Sequence, residues 1–374
     1  MKRVLFVANS DWFSNFNAPF MAWFKSQGWM VDNASPGIES GEVDHQYDVC
    51  IQRSPYSLKN FTAYRQLKRI IDENDYDLIH CHTPMGSILA RLAGRAAQKR
   101  GTKIMYTSHG FHFYDGAPKL NWLIYFPIER FMARYSDTLV TINDEDYDRA
   151  RRYGMYRSRI YRIDGVGVNL SRFHPRGETE RRSYREQLRL GNDDFVVLYV
   201  AQFAPDKNHR SLIAQIPTLL EHIPSLKVVF AGSGPMMEHA KAQVAHLGLK
   251  EIVRFLGRRY DVEMLCNMSD IHVSPSIREG LGMSNIEAMA SGLPLVITDI
   301  RGHRNVCVDG VNGLLFNINH PEELTQHIIR FYDDPELRKT ISRQNIRDAQ
   351  RFSVDKIVKV MAEIYRETLN DTER

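Results

Sequence analysis

One alternation runs through the 374-residue chain, and it runs through it twice. Short apolar stretches at 4–8, 49–52, 78–81, 103–107 and 138–142 alternate with longer amphipathic ones at 16–27, 58–74, 85–100 and 120–135. The pattern restarts after residue 190. Apolar stretches at 195–201, 227–231, 254–256, 271–274, 295–298 and 314–316 then alternate with helical ones at 211–222, 236–247, 261–267, 284–290, 321–333 and 335–350. Strands covered on both faces read as short continuous apolar runs, and the helices that cover them repeat every 3.6 residues. Strand then helix, repeated, dictates a parallel sheet with helices on both faces. Two such series predict two doubly wound, Rossmann-like α/β domains, over 1–172 and 173–353. The join is 164–176, DGVGVNLSRFHPR, whose Gly, Asn and Pro suit a linker, and 181–189 reads as a short helix beyond it. A last amphipathic helix, about 354–374, must pack on something, and in such a chain it can return to the first domain.

Ligands of open α/β sheets bind at the carboxyl ends of the strands. Two such domains facing each other make a cleft walled by the loops that follow strands. The most informative loop lies in 270–294, DIHVSPSIREGLGMSNIEAMASGLP. An apolar strand ends there, Gly280 and Gly282 let backbone N–H groups approach a ligand, and a helix follows. Free N–H groups at a helix start favour an anion. Glu279 and Glu287 beside such a site suit hydroxyls joined to the anion rather than the anion itself. The stretch therefore points to a phosphorylated sugar derivative. Ser284-x-x-Glu287 is equally a capping box, so Glu287 stays open between cap and ligand. Glu279 has no such structural role.

The other strand-end loops of the second series have matching chemistry. The stretch 200–209, VAQFAPDKNH, sets Gln202 in the loop and Lys207 just before a helix, where an ammonium can meet phosphate. Gly232-Ser233-Gly234-Pro235 is a tight turn that permits close backbone approach, although Gly-Pro also simply starts a helix. Gly257-Arg258 could hold a flat base against backbone and guanidinium.

In the first series the loop 9–16, NSDWFSNF, lacks G-x-G-x-x-G, so a dinucleotide fingerprint is missing. Asn9 and Ser10 face the strand ends, and Trp12 and Phe13 read as core. His80 and His82 share one strand face, with no third ligand spaced for a metal. His109 ends a strand before Gly110, placed to bond a substrate hydroxyl or move a proton; His112 follows on the same loop. Asp144-Glu145-Asp146 resembles a metal-binding triplet but reads as a helix start, where acids suit the dipole. The stretch 119–131, KLNWLIYFPIERF, reads as a buried core helix, with a helix lying at a membrane interface as the alternative. The stretch 149–162 holds six Arg and three Tyr without an acid. It suits phosphate-rich lipid or a pyrophosphate-linked acceptor, or simply a solvated face.

Charge and cysteine usage narrow the class. The net charge of +4 is too small for a nucleic-acid binder and lies in the first 172 residues, where 23 Lys/Arg stand against 18 Asp/Glu. Four scattered cysteines form no ligand or disulfide spacing, which fits a reducing cytoplasm. No run of apolar residues is long enough to span a bilayer, and the N-terminal run reads as a first strand rather than a leader.

These residues resemble a known family. Glu279 and Glu287 reproduce the E-x7-E motif of retaining glycosyltransferases of family 4, which have the GT-B fold. Lys207, the turn at 232–235, Gly257-Arg258 and Asn312-Gly313-Leu314-Leu315 match that family in order, over essentially the whole chain. The first half, with DLIHCHTP and TSHGFHFYDGAP, resembles the branch that assembles bacterial capsule, exopolysaccharide and O-antigen. The resemblance implies that Lys207 contacts a donor diphosphate and that Gly280, Leu281 and Gly282 lie by diphosphate and sugar. It implies that Glu279 holds sugar hydroxyls, Glu287 ribose hydroxyls, and that His109 approaches the sugar from the other domain. Asn9, Ser10, His82 and His112 become acceptor-side candidates, and Gly232, Gly234 and Arg258 donor-side ones. One departure is that the family's Arg five residues before the Lys is Gln202 here; Arg278 or another base is left to replace it. The family's glycine-rich first loop is also missing.

The expected reaction is transfer of a hexose or N-acetylhexosamine from a UDP-sugar to a lipid-diphosphate-linked saccharide. Lys207 and the helix start would stabilise the leaving diphosphate, so no metal and no cofactor are expected. The expected location is cytoplasmic, at the inner face of the membrane. The alternatives are a UDP-sugar 2-epimerase on the same fold and a non-catalytic nucleotide-sugar-binding protein.

Overall fold

The computed structural model describes residues 1–10, 12–37 and 43–370, with backbone alone over 12–15. Asp11, the side chains of Trp12 and Phe13, and the last four residues of the expected terminal helix lie outside the described residues. The chain divides into two compact units, Met1–Gly167 with Val354–Arg374, and Val168–Ser353. The division falls five residues before the expected 172/173. The reason is local: Val168 N–H donates to Phe352 O at 2.8 Å, and the Arg172 guanidinium pairs with Glu263 at 2.6 Å, so 168–172 is docked on the second unit.

The first unit runs β1 (Arg3–Val7), α1 (Trp12–Ser26), β2 (Met30–Ser35), β3 (His45–Asp48), α2 (Lys59–Glu73), β4 (Leu78–His82), α3 (Pro84–Ala93), α4 (Arg95–Lys99), β5 (Lys103–Ser108), α5 (Lys119–Met132), β6 (Thr138–Thr141), α6 (Asp144–Arg152) and β7 (Arg159–Arg162). All pairings are parallel, in the order β3-β2-β1-β4-β5-β6-β7. Three of these strands, β2, β3 and β7, escape an apolar-run criterion. In β2 the buried polar residues have their own partners: the Asp32 carboxylate accepts from Arg3 Nη2 at 2.9 Å and Tyr76 O–H at 2.6 Å. Edge strand β7 is RIYR and only half-buried. The strand expected at 49–52 is instead β3; Val49 and Ile51 are apolar because they pack in one cluster with Ala63, Leu67 and Ile71 of α2.

The second unit runs α7 (Glu178–Gln187), β8 (Phe195–Val200), α8 (His209–His222), β9 (Leu226–Ala231), α9 (Met237–His246), β10 (Val253–Phe255), α10 (Val262–Met268), β11 (Ile271–Ser274), α11 (Met283–Ala290), β12 (Leu295–Thr298), α12 (Arg301–Arg304), β13 (Leu314–Phe316), α13 (Pro321–Asp333) and α14 (Pro335–Asp348). Its six strands are again all parallel, in the order β10-β9-β8-β11-β12-β13. Each stands within a residue or so of its expected place. The final helix α15 (Val354–Leu369) belongs to the first unit. Tyr365 O–H meets His80 Nδ1 at 2.9 Å, Thr368 meets Thr138 at 2.9 Å, and the Tyr365 ring stacks on Trp23.

Two stretches differ from their expected roles. Of the six arginines in 149–162, four are engaged by acids: Arg149 with Asp115 and Glu145, Arg157 with Asp137, Arg159 with Glu367, and Arg162 with Asp144 and Asp164. Acids from outside the run neutralise these four, so it is not a continuous phosphate-binding patch. Helix α5 is not a core helix either. Trp122, Tyr125 and Phe126 pack on the core and Glu129 forms a buried ion pair with Arg91 at 2.9 Å. The opposite face exposes Leu120, Leu123, Ile128 and Phe131.

Candidate active site

In the second unit the strand order reverses between β8 and β11, so the loops leaving these neighbours diverge and open a crevice at their carboxyl ends. The β8 loop ends in a tight turn, Pro205–Lys207, followed by Asn208 at φ 51° and then α8. The β11 loop carries 275–282 into α11. Lys207 Nζ and Glu279 Oε1 meet across this point at 2.5 Å. Their supports come from both loops. Tyr199 O–H donates to Lys207 O at 2.8 Å and lies 3.1 Å from Ser276 Oγ, which itself donates to Glu279 Oε1 at 2.8 Å. Burial by itself would raise the Glu279 pKa; the Lys207 ammonium outweighs it and holds the carboxyl below its usual range. Tyr199 and Ser276 are apolar-strand and loop residues with no chemical signature in sequence, and their roles appear only through the pair they hold.

Gly282 starts α11 in the left-handed region at φ 85°, where a Cβ would also lie 2.6 Å from Asn285 Nδ2. The cap is therefore glycine, with no side-chain bond to it. This overturns the capping box: Ser284 sits inside the helix and Glu287 falls in its second turn, beyond capping reach. Glu287 is largely buried, and burial first, then the neighbouring Glu263 carboxylate, against Arg172, pushes its pKa up to about 7. The Gly280–Leu281 peptide is pressed by α12: a Cβ on Gly302 would lie 2.7 Å from Gly280 C and O and from Leu281 N. The Leu281 side chain points into the core, leaving its backbone for any ligand.

His303 on α12 is a residue that the sequence reading missed. Its Nδ1 donates to Thr298 O at 2.8 Å, and burial pushes its pKa down to about 4, so Nε2 is a bare acceptor at neutral pH. His303 Nε2 and Asn285 Nδ2 are buried without a partner among the described residues, and both rings and amides crowd the Gly282 turn. A buried polar atom left so costs about 1–3 kcal/mol. The only sequence signal was R-G-H-R directly after a strand end.

The remaining donor-side candidates serve this loop cluster. A Cβ at Gly232 would lie 1.9 Å from Ala201 O, and one at Gly234 2.5 Å from Phe203 O, so both glycines let the β9 loop lie against the β8 loop. Gly232 N–H donates to Gly257 O at 2.7 Å, tying in the β10 loop. Arg258 is exposed and lies over the Tyr260 ring. Gln202 is exposed. Arg278, the proposed substitute for the missing arginine, stands 3.6 Å from Asp206.

The first unit reverses between β1 and β4. Asn9 N–H donates to Thr83 Oγ1 at 3.2 Å, which brings these two loops together, with Ser10 beside them. Thr83 has φ 63° and ψ 150°, a strained backbone for a β-branched residue at the start of α3. His82 is fully buried and so does not itself reach an acceptor; its Nδ1 meets His109 Nε2 at 3.1 Å, which makes it a support for His109. The His80 ring lies 4.1 Å from that of His82, tilted to it by 44°, and is fixed by Thr107 and Tyr365. Burial pushes His109 down to about 4 and His80 to about 3, so this column is neutral at pH 7. His112 is drawn to α5 instead, its ring stacked on Tyr125 and its carbonyl accepting from Asn121. Asp144–Asp146 starts α6, with Asn143 capping Asp146 N–H at 2.9 Å.

Residues 27–172 match the family described as Glycosyltransferase Family 4, and residues 180–348 match Glycosyl transferases group 1. EpsD of Bacillus subtilis (strain 168), which carries a glycosyltransferase's name, is 42% identical over 97% of this chain and 96% of its own. The chain is a family 4 glycosyltransferase. A relative of the transferase in Escherichia coli, named UDP-Gal:alpha-D-GlcNAc-diphosphoundecaprenol alpha-1,3-galactosyltransferase, is 26% identical over 82% of this chain and 80% of its own. Among solved structures, Anabaena HepE in complex with UDP-glucose superimposes with a TM-score of 0.83 at 19% identity, covering 98% of the transferase and 100% of HepE. That likeness establishes the GT-B fold. None of these relatives is named for epimerisation, and the epimerase reading has no support. No helix among the described residues is long and apolar enough to cross a membrane.

Proposed function

We propose that this glycosyltransferase moves a hexose or N-acetylhexosamine from a UDP-sugar to a lipid-diphosphate-linked saccharide, with retention, in bacterial surface polysaccharide assembly. The observation that carries the reading is the Lys207–Glu279 pair at the reversal point of the second sheet, beside the glycine start of α11. An ammonium and free helix N–H groups there suit a diphosphate on which charge grows as the glycosidic bond breaks. Glu279 beside them suits sugar hydroxyls, and the half-ionised Glu287 suits the vicinal hydroxyls of a ribose. Glu279 would accept hydrogen bonds that Lys207 and Ser276 do not exhaust. The second unit is thus assigned the donor and the first the acceptor, with His109 toward the sugar and Asn9 and Ser10 beside the acceptor. The named activity of the E. coli relative supports the UDP and lipid-diphosphate parts of this reading. A lipid-linked acceptor places the enzyme at the inner face of the cytoplasmic membrane.

Because Lys207 and the helix start supply the positive charge, the reaction is proposed to need no metal. A thermal-shift screen of UDP-sugars selects the donor; a hundredfold excess over Kd stabilises by about 2.7 kcal/mol. UDP release with that donor and a lipid-diphosphate acceptor should then continue in EDTA. Loss of turnover in EDTA with recovery on Mg²⁺ would overturn the metal-free reading.

A further inference from the structure

We propose that the outer face of α5 docks the protein on an anionic bilayer, an inference that rests on the lipid-linked acceptor reading and gives it a surface. Helical spacing sets Leu120, Leu123, Pro127 and Phe131 on one stripe, 62%, 73% and 48% exposed at the two leucines and the phenylalanine. The inner face is held by Trp122 and Phe126 and by the buried Arg91–Glu129 pair, so the helix cannot roll to hide the stripe. Beside it lies a groove of about 540 Å³, lined by Pro127, Phe131 and Tyr153 with Arg130 and Arg134.

The charges around the stripe say what covers it. Arg134 lies over Phe131 at 4.1 Å, Arg152 over Tyr153 at 5.6 Å and Arg95 over Tyr135 at 5.0 Å, while Tyr135 meets Phe131 edge-on. Among the described residues none of Arg95, Arg130, Arg134 and Arg152 pairs with a carboxylate. In the same unit Arg149, Arg157 and Arg159 all do. Arginines whose guanidiniums lie over aromatic rings and pair with no carboxylate, framing exposed leucine and phenylalanine, match an interface of lipid phosphates over hydrocarbon. A protein partner would need a large acidic surface with an apolar centre, and a second copy of this chain offers like charge to like charge.

The test is co-sedimentation of the full chain with phosphatidylcholine vesicles, with and without phosphatidylglycerol, alongside UDP binding by calorimetry. Wild type should bind the phosphatidylglycerol vesicles and release from them at high salt. Leu123→Gln/Phe131→Gln and Arg130→Gln/Arg134→Gln should each bind them about tenfold more weakly, with UDP affinity unchanged. Unchanged vesicle binding in both double variants would overturn this surface while leaving a membrane-bound acceptor in place. Wild type that binds UDP but neither vesicle would overturn the docking outright without touching the donor site. A dimer in sedimentation equilibrium that Leu123→Gln/Phe131→Gln dissociates would overturn it in favour of self-association.

Discussion

The two sheets share one winding and each reverses once, yet their reversal points are furnished with opposite chemistry. In the second unit the crevice holds a fixed ion pair, Lys207 with Glu279, and a helix start stripped of side chain by Gly282. In the first unit the corresponding loops bring together Asn9, Thr83, His82 and His109, groups that burial and composition leave neutral at pH 7. Topology explains why a site stands at each point, and it explains nothing about which site. The ion pair suits a leaving diphosphate, whose charge grows during reaction. A neutral imidazole suits a hydroxyl, which it can bond without a charged partner. The same contrast appears at smaller scale among arginines: Arg149 on α6 and Arg159 and Arg162 on β7 are spent on carboxylates, whereas Arg95, Arg130, Arg134 and Arg152 around the outer face of α5 are not.

The comparison breaks most sharply at Lys207. Lys207→Ala should lower UDP release from the matched donor and acceptor by about 10³-fold, since it removes the charge opposite the leaving group. Glu279→Ala should cost about 10²-fold or more in the same assay, and it also frees Lys207 from its partner. Wild-type rates in either variant would remove the site from the second unit's reversal point. The next largest effect is expected in the other unit. His109→Ala should slow transfer by about 10²-fold with UDP affinity unchanged by calorimetry. A loss of UDP binding there would mean that the neutral column serves the donor and that the division between the units is wrong.

How much of this was legible in the chain follows from what a linear pattern can carry. The strands of the second unit are continuous apolar runs because helices cover both faces, and every one was readable. β2 was not, because buried Asp32 is made tolerable by Arg3 and Tyr76, residues that only the fold brings to it. Lys207 and Glu279 were readable because each stands at a strand end beside turn-forming residues. His303 was not, because its position under the Gly282 turn depends on the close approach that Gly302 permits between α12 and the Gly280–Leu281 peptide. The capping box failed for a local reason: its spacing was correct, but a left-handed glycine started the helix earlier than the serine could cap it. The outer face of α5 failed for a global one. A helix apolar all round announces burial, and only the finished packing reveals that one side was left out.

The smallest predicted effect is also the most diagnostic for Glu287. Burial raises its pKa to about 7, and ribose hydroxyls would donate to its ionised form. UDP affinity should then rise about tenfold between pH 6 and pH 8, the range over which a group with that pKa ionises. Binding near pH 7 should release a fraction of a proton, measurable as a dependence of calorimetric heat on buffer ionisation. Glu287→Gln should flatten the profile at the affinity of the protonated wild type. The unliganded protein supplies the opposite sign. A carboxyl whose folded pKa is raised contributes stability that is complete below the unfolded value near 4.5 and is lost as pH rises through about 7. Glu287→Gln should therefore raise stability above pH 7, by about 1 kcal/mol and read as a higher Tm, while leaving it nearly unchanged in acid. A variant that weakens UDP binding above pH 7 while gaining stability there would mark Glu287 as a residue kept for its ligand. One that loses stability at every pH would return it to a purely structural role, and the donor site would then end at Glu279.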